Sequence, residues 1–201
     1  MRLKDSDVRV CLRQEIKEHF AYDLTTHIVD ELQICNGVAR VDIAAINGAL
    51  HGYEIKSESD TLIRLPNQLV QYNKVFDYVY LVCADNQIEE AYKLIPNWWG
   101  IYLVSNCEGM ARLTIERKPS PNCNLDPFSL LQFLNKEELV RFGLMFDVGT
   151  EPKLQRTQKY RLWQIISAKV DACEIPLFSL AEFLRTTLKT REGGRTHLLQ
   201  T

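Results

Sequence analysis

The feature that most constrains this chain is a pair of short apolar segments joined by an Asn-Gly dipeptide. VARVDIAAI covers residues 38–46, Asn47-Gly48 follows, and ALHGYEIKS covers residues 49–57. Alternating apolar and polar residues around Asn-Gly are typical of two antiparallel strands in a β-hairpin. Because side chains alternate between the faces of a strand, the loop length decides which residues share a face.

A two-residue loop would place Asp42 and Glu54 on opposite faces of the hairpin. A three-residue loop of residues 46–48, with Gly48 in the left-handed conformation, pairs Ala45 with Ala49 and brings both carboxylates to one face. We predict the three-residue loop because it separates apolar from polar side chains. The apolar face would then hold Val41, Ile43, Tyr53 and Ile55, and the polar face would hold Arg40, Asp42, Gly52, Glu54 and Lys56.

The remaining hydrophobic pattern predicts an α/β protein. Helical spacing predicts helices over residues 5–20, 26–34, 66–76 and 87–94, and apolar runs predict strands over 78–83, 99–106 and 110–117. Strands interleaved with helices favour a sandwich of three layers.

A Pro- and Asn-rich stretch divides the chain. We predict a core over residues 1–118, a linker over 119–127 and an all-helical C-terminal domain over 128–201. Three residue pairs match helix caps: Asp126 with Pro127, Asn135 with Glu138, and Ser179 with Glu182.

Charge and composition narrow the function classes. The net charge of -2 is unlike that of proteins that coat nucleic acid non-specifically, but residues 1–150 carry a charge of -6 and residues 151–201 carry +4. The chain contains no apolar run long enough for a membrane helix, so we expect a soluble cytoplasmic protein without a membrane partner. The six cysteines lack zinc-site spacing and are expected to be free thiols.

The hairpin brings together groups that suit metal-assisted phosphodiester cleavage. Carboxylates of Asp42 and Glu54 can hold a hard divalent cation, Mg²⁺ or Mn²⁺, while the Lys56 ammonium orients or stabilises an attacking hydroxide. The alternative is a solvated strand face without catalytic function.

Neighbouring segments can add further polar groups. Arg64, Gln68 and Tyr72 recur every four residues and form one stripe on the next helix, within reach of a phosphate. Glu31, on the predicted helix over 26–34, could point at the same metal. The alternatives are that Tyr72 packs in the core and that Gln68 and Glu31 are surface residues.

Together these motifs resemble the PD-(D/E)XK nuclease superfamily, in its Q-x-x-x-Y branch. The resemblance covers residues 26–105 and is carried by Asp42, by Glu54-Ile55-Lys56 and by Gln68-x-x-x-Tyr72. It is similar to small stand-alone bacterial and phage members, although Val41 stands where the name motif has Pro. The resemblance implies a restriction-endonuclease-like α/β/α core. It assigns metal binding to Asp42, Glu54 and the Ile55 carbonyl, catalysis to Lys56, an accessory role to Glu31, and active-site support to Gln68 and Tyr72.

The C-terminal segment allows two interpretations. Predicted helices over 137–146 and 157–170 resemble a SAP-like helix-extended-helix module that binds DNA. Its basic residues, together with Arg40 and Arg64 in the core, would contact phosphates: they are Lys153, Arg156, Lys159 and Arg161. The alternative is a bundle that covers the core, forms a homodimer interface or binds a partner protein.

We therefore expect a Mg²⁺- or Mn²⁺-dependent nuclease acting on DNA. The alternative is a non-catalytic protein of the same fold that binds nucleic acid, regulates or interacts with another protein.

Overall fold

A computed structural model describes residues 3–58 and 60–191, and its centre is a six-stranded mixed β-sheet with strand order β1-β2-β3-β4-β5-β6. Strand β3 pairs in parallel with β4, and β4 pairs in parallel with β5, whereas the other neighbours are antiparallel. The strands are β1 His27–Ile34, β2 Ala39–Ile46, β3 Leu50–Lys56, β4 Tyr78–Ala84, β5 Gly100–Cys107 and β6 Met110–Arg117.

Eight α-helices accompany the sheet within these described ranges, which confirms the predicted α/β class. None of them is both long and apolar enough to cross a membrane. The helices are α1 Asp5–His19, α2 Leu65–Val75, α3 Ile88–Leu94, α4 Pro127–Leu131, α5 Lys136–Met145, α6 Glu151–Arg156, α7 Lys159–Asp171 and α8 Leu177–Thr190.

The two faces of the sheet belong to two hydrophobic clusters. On one face, α1 buries Leu12 and Ile16 against side chains such as Tyr53 of β3. On the other face, α2 and the C-terminal helices share a larger cluster with the sheet, in which Leu81 and Leu162 are fully buried. The C-terminal helices therefore pack on the core, as one of the two predicted alternatives requires.

The predicted linker is tied to the core by hydrogen bonds. The Asn122 side-chain amide donates to the carbonyl oxygens of Asn73 and Phe76 at 2.7 and 2.9 Å, where α2 ends. Farther along, Arg185 of α8 forms an ion pair with Asp77, and both side chains are largely buried. Residues 192–201 of the predicted helical domain lie outside the described residues.

The predicted helix over residues 26–34 is wrong, because this segment forms strand β1. Glu31 has a positive φ of 55° and interrupts the regular alternation of side chains. Ile28 consequently packs with the α1 face, whereas Leu32 and Ile34 belong to the α2 face. The resulting spacing of apolar residues resembles that of a helix, which explains the error.

The hairpin has a three-residue loop, as predicted, but the loop lies one residue later in the chain, so the predicted pairs do not form. The loop consists of residues 47–49, so Ile46 pairs with Leu50 and Ala44 pairs with Gly52. Gly48 does not adopt a left-handed conformation, contrary to the prediction. Ile43, Tyr53 and Ile55 share one face as expected, but Val41 packs in the opposite cluster.

Local predictions for the C-terminal segment are confirmed only in part. Asp126 caps α4 and Asn135 forms a capping box with Glu138 at α5. Ser179 is not a cap, because α8 already begins at Leu177. The expected extended connection of a SAP-like module is also wrong, since the residues between α5 and α7 include helix α6.

The buried His51 makes the stability of the fold depend on pH. Its ring stacks on Tyr78 and packs against Phe20, and burial, with smaller contributions from the charges of His19 and Arg185, lowers the pKa of His51 to about 4. An unfolded histidine binds its proton with a pKa near 6.5. Below about pH 6.5 the unfolded chain therefore binds a proton at His51 that the folded protein does not bind. The free energy of unfolding falls as the pH decreases from about 6.5 towards 4.

We expect His51→Phe to reduce the loss of unfolding free energy between pH 7.5 and pH 5 by about 2 kcal/mol, because phenylalanine keeps the ring contacts but binds no proton. Urea unfolding of both proteins at the two pH values measures the difference. Equal pH dependence in the two proteins would contradict the assignment.

Candidate functional site

A buried carboxylate, that of Glu54, lies at the centre of the candidate site. Strand β3 lies inside the sheet and both of its faces are covered, so the Glu54 residue is only 2 % exposed. Its Oε1 accepts hydrogen bonds from Lys56 Nζ and from Gln68 Nε2, each at 2.6 Å. Its Oε2 accepts a hydrogen bond from the Tyr72 hydroxyl. Three donors therefore surround one carboxylate, as burial of a charge requires.

Helix α2 supplies two of these donors because of its spacing. Gln68 and Tyr72 lie one helical turn apart and face the same side, and the helix has Pro66 in its first turn, where the missing N–H costs nothing. Lys56 Nζ also lies 3.1 Å from Gln68 Oε1. Burial beside Glu54 raises the pKa of Tyr72, which therefore stays protonated and able to donate. The structure thus brings the predicted residues of β3 and α2 together.

Asp42 occupies a different position, between strands β2 and β3. Its Oδ2 accepts the backbone N–H of Ile55 at 2.7 Å, and its Oδ1 lies 2.6 Å from Arg9 Nη2. Burial, and next the charge of Glu54, raise the pKa of Asp42 to about 6. Arg9 belongs to α1, so Asp42 is contacted from the α1 side whereas Glu54 is contacted from the α2 side. The predicted common polar face for the two carboxylates is therefore wrong.

Arg9 also binds the third predicted carboxylate. Its Nη2 lies 2.7 Å from Glu31 Oε1, and Arg40 Nε lies 2.7 Å from Glu31 Oε2. Glu31 therefore lies beside Asp42, on strand β1 rather than on the predicted helix. Arg9 was missed. A usable signal was the recurrence of Asp5, Arg9 and Arg13 every four residues on α1.

The three carboxylates near the site are of the chemical type that binds hard divalent cations. Asp42, Glu54 and Glu31 offer carboxylate oxygens, which Mg²⁺ and Mn²⁺ prefer. In the described part of the chain no three His, Cys, Asp or Glu residues are arranged as a metal site. Arg9 and Lys56 instead neutralise the carboxylates, so a cation binding here would exchange places with these ammonium and guanidinium contacts.

The predicted nucleic-acid-binding residues fall into two groups. Arg40 and Arg64 line a groove of about 640 Å³ that also includes Gln68. The other four lie on α6 and α7: Lys153, Arg156 and Arg161 are exposed, whereas Lys159 is half-buried over the ring of Trp163.

Comparison with known proteins identifies phage relatives. A family model described as bacteriophage P4 protein cII matches residues 6–198. Protein cII of Enterobacteria phage P4 is 28 % identical over 190 residues, which cover 94 % of this chain and 68 % of the phage protein. A solved structure of a protein of unknown function from Silicibacter pomeroyi aligns with a TM-score of 0.35 and 20 % identity. The alignment covers 48 % of this chain and 62 % of that protein, less than two thirds of its length.

We expect Tyr72→Phe to lower the free energy of unfolding by about 1–3 kcal/mol, because the buried Glu54 loses a donor that water cannot replace. The matched control is Tyr92→Phe, which removes an exposed hydroxyl bonded to Glu116. Urea unfolding of both variants measures the contrast. Equal stability losses in the two variants would mean that the Tyr72 hydroxyl contributes no more than a surface contact.

Proposed function

The chain belongs to the bacteriophage P4 protein cII family, and from the chemistry of its carboxylate cluster we propose that it is a divalent-metal-dependent nuclease that hydrolyses phosphodiester bonds of DNA. The observation that carries the proposal is the buried Glu54 in contact with Lys56, Gln68 and Tyr72. The charge of Glu54 raises the pKa of a second acid, Asp42, and a buried acid that needs three donors contributes little or nothing to the stability of the fold. Such arrangements are concentrated at functional sites.

We extend the proposal to the fold, which we interpret as a restriction-endonuclease-like core. Supporting it are the order α1, β1 to β3, α2, β4 and the mixed sheet covered on both faces. The Glu54-Ile55-Lys56 segment on β3 and Gln68 with Tyr72 on α2 also support it, since they carry the resemblance to the PD-(D/E)XK superfamily.

Asp42, Glu54 and the Ile55 carbonyl would hold Mg²⁺ or Mn²⁺, with Glu31 as an accessory carboxylate. The cation would supply Lewis-acid polarisation of the phosphate. Lys56 would then leave Glu54 and turn its ammonium towards the attacking water and the charge that develops on the phosphate oxygens. Gln68 and Tyr72 would keep Glu54 in place during this exchange, since both donate to it.

Arg9 would act before chemistry, by holding Asp42 and Glu31 close together. Two carboxylates repel each other, and a guanidinium bonded to both reduces that cost. In this proposal Arg9 would be a positioning residue for these two carboxylates.

DNA would be bound by Arg40 and Arg64 beside the site, and by the basic residues of α6 and α7 at a distance along the chain: Lys153, Arg156, Lys159 and Arg161. Phosphate contacts of this kind supply affinity without sequence information. The proposed place of action is the cytoplasm.

A second candidate is a non-catalytic protein that binds DNA through the same surface. The observation that favours it is that Arg9 and Lys56 already neutralise the carboxylates, so that the cluster is electrostatically complete without a cation. Cleavage assays separate the two candidates.

We expect the full chain to cleave DNA with Mg²⁺ or Mn²⁺ and not with EDTA, and we expect Lys56→Ala to reduce the rate by about 100-fold or more. Linear, circular and single-stranded DNA are incubated with the protein, and products are resolved by electrophoresis. Lys93→Ala, at an exposed position of α3, is the matched control and should retain the full rate.

Glu54→Gln provides a second variant of nearly the same shape, and circular dichroism verifies that each variant is folded. Cleavage that survives EDTA or the loss of Lys56 would contradict the mechanism. Binding without cleavage of any substrate would support the non-catalytic candidate.

A further inference from the structure

The groove beside Gln68 has a composition that the proposed chemistry does not require. Six residues line it together with Ala39 and Gln68, and no acidic side chain is among them. They combine cations, amides and aliphatic side chains: Val38, Arg40, Arg64, Asn67, Val70 and Gln71.

The groove shares one side chain, Gln68, with the buried Glu54 and Lys56. Gln68 lines the groove and also bonds Glu54 Oε1 and Lys56 Nζ. A chain lying in the groove would therefore contact Gln68, which bonds both of these buried groups.

The charge of the groove indicates an anionic occupant. Arg40 and Arg64 contribute two positive charges in a core whose overall charge is negative. The ion pair of Arg40 with Glu31 leaves the Arg40 side chain 62 % exposed, and exposed ion pairs contribute only about 0–1 kcal/mol, so its guanidinium can turn to a phosphate.

The aliphatic residues indicate that the occupant exposes its bases. Val38 is 71 % and Val70 is 51 % exposed, and both lie within the groove. The outer surface of a duplex presents phosphates and sugars, whereas the apolar faces of bases become accessible when a strand is unpaired. Asn67 and Gln71 place amide donors and acceptors beside the same positions, suited to exposed base edges.

We propose that this groove, beside the buried carboxylate of Glu54, binds an unpaired segment of DNA, so that the preferred substrate is a single strand or the frayed end of a duplex. This inference rests on the proposed nuclease function for the substrate class, but binding in the groove needs neither metal nor cleavage. Arg40 and Arg64 contact the phosphates, and Val38 and Val70 contact the bases.

Fluorescence anisotropy tests binding with the full chain in EDTA, so that no cleavage occurs. The probes are a labelled single-stranded DNA oligonucleotide, the same sequence as a blunt duplex, and its RNA equivalent. We expect the single strand of DNA to bind about tenfold more tightly than the duplex. Equal or tighter binding of the duplex would overturn the proposal, and so would tighter binding of the RNA.

Two kinds of variant distinguish the contacts. Arg64→Gln should weaken binding and reduce the slope of log affinity against log salt by about one, because one phosphate contact is lost. Val70→Asn should weaken single-strand binding without changing that slope, because it removes an apolar contact only. The matched controls are Arg112→Gln and Met110→Asn on β6, at the far edge of the sheet, which should leave affinity unchanged.

The outcomes separate this inference from the proposed function. A strand preference that depends on Arg64 and Val70 in a protein without cleavage activity would support the groove and reject the nuclease. Cleavage with no such preference, or groove variants that bind like their controls, would reject the groove while leaving the nuclease in place.

Discussion

The carboxyl group of Glu54, buried inside the sheet, is the constraint on which the candidate site depends. Transfer of a carboxylate into a protein interior costs several kcal/mol unless it is paired and hydrogen-bonded. Lys56 lies two residues away on the same strand and reaches it at 2.6 Å, while Gln68 and Tyr72 reach it from α2. The position of α2 against β3 is therefore fixed by electrostatics as well as by packing.

Because α2 supplies donors to the buried Glu54, the C-terminal segment that packs against α2 has a structural role. The residues after β6 satisfy carbonyl groups at the C-terminal end of α2: Asn122 donates to the carbonyl oxygens of Asn73 and Phe76, and the Asp126 N–H donates to the Lys74 carbonyl oxygen at 2.8 Å. Helices α4 and α8 then complete the hydrophobic cluster under the sheet. The C-terminal segment therefore holds in place the helix that presents Gln68 and Tyr72.

Local patterns predicted the parts of the site that depend on short spacings. Glu54 and Lys56 followed from the alternation on β3, and Gln68 with Tyr72 followed from the four-residue period of a helix. The contact of Arg9 with Asp42 spans 33 residues and belongs to tertiary packing, which periodicity cannot register. A Cβ atom at Gly52 would lie 3.0 Å from the ring of Phe76, so this glycine lets the ring pack closely against β3.

The positive φ of Glu31 links the largest error in the predicted fold to the geometry of the site. The conformation is uncommon for a residue other than glycine, and it coincides with a change of face in both β1 and the neighbouring β2, where Val41 and Ile43 enter opposite clusters. Asp42 lies at this change, where the paired register of β2 and β3 ends at Ile43. Its carboxylate can therefore enter the space between the strands and accept the Ile55 N–H. The irregularity that concealed a strand in the sequence thus places the second carboxylate within electrostatic reach of Glu54.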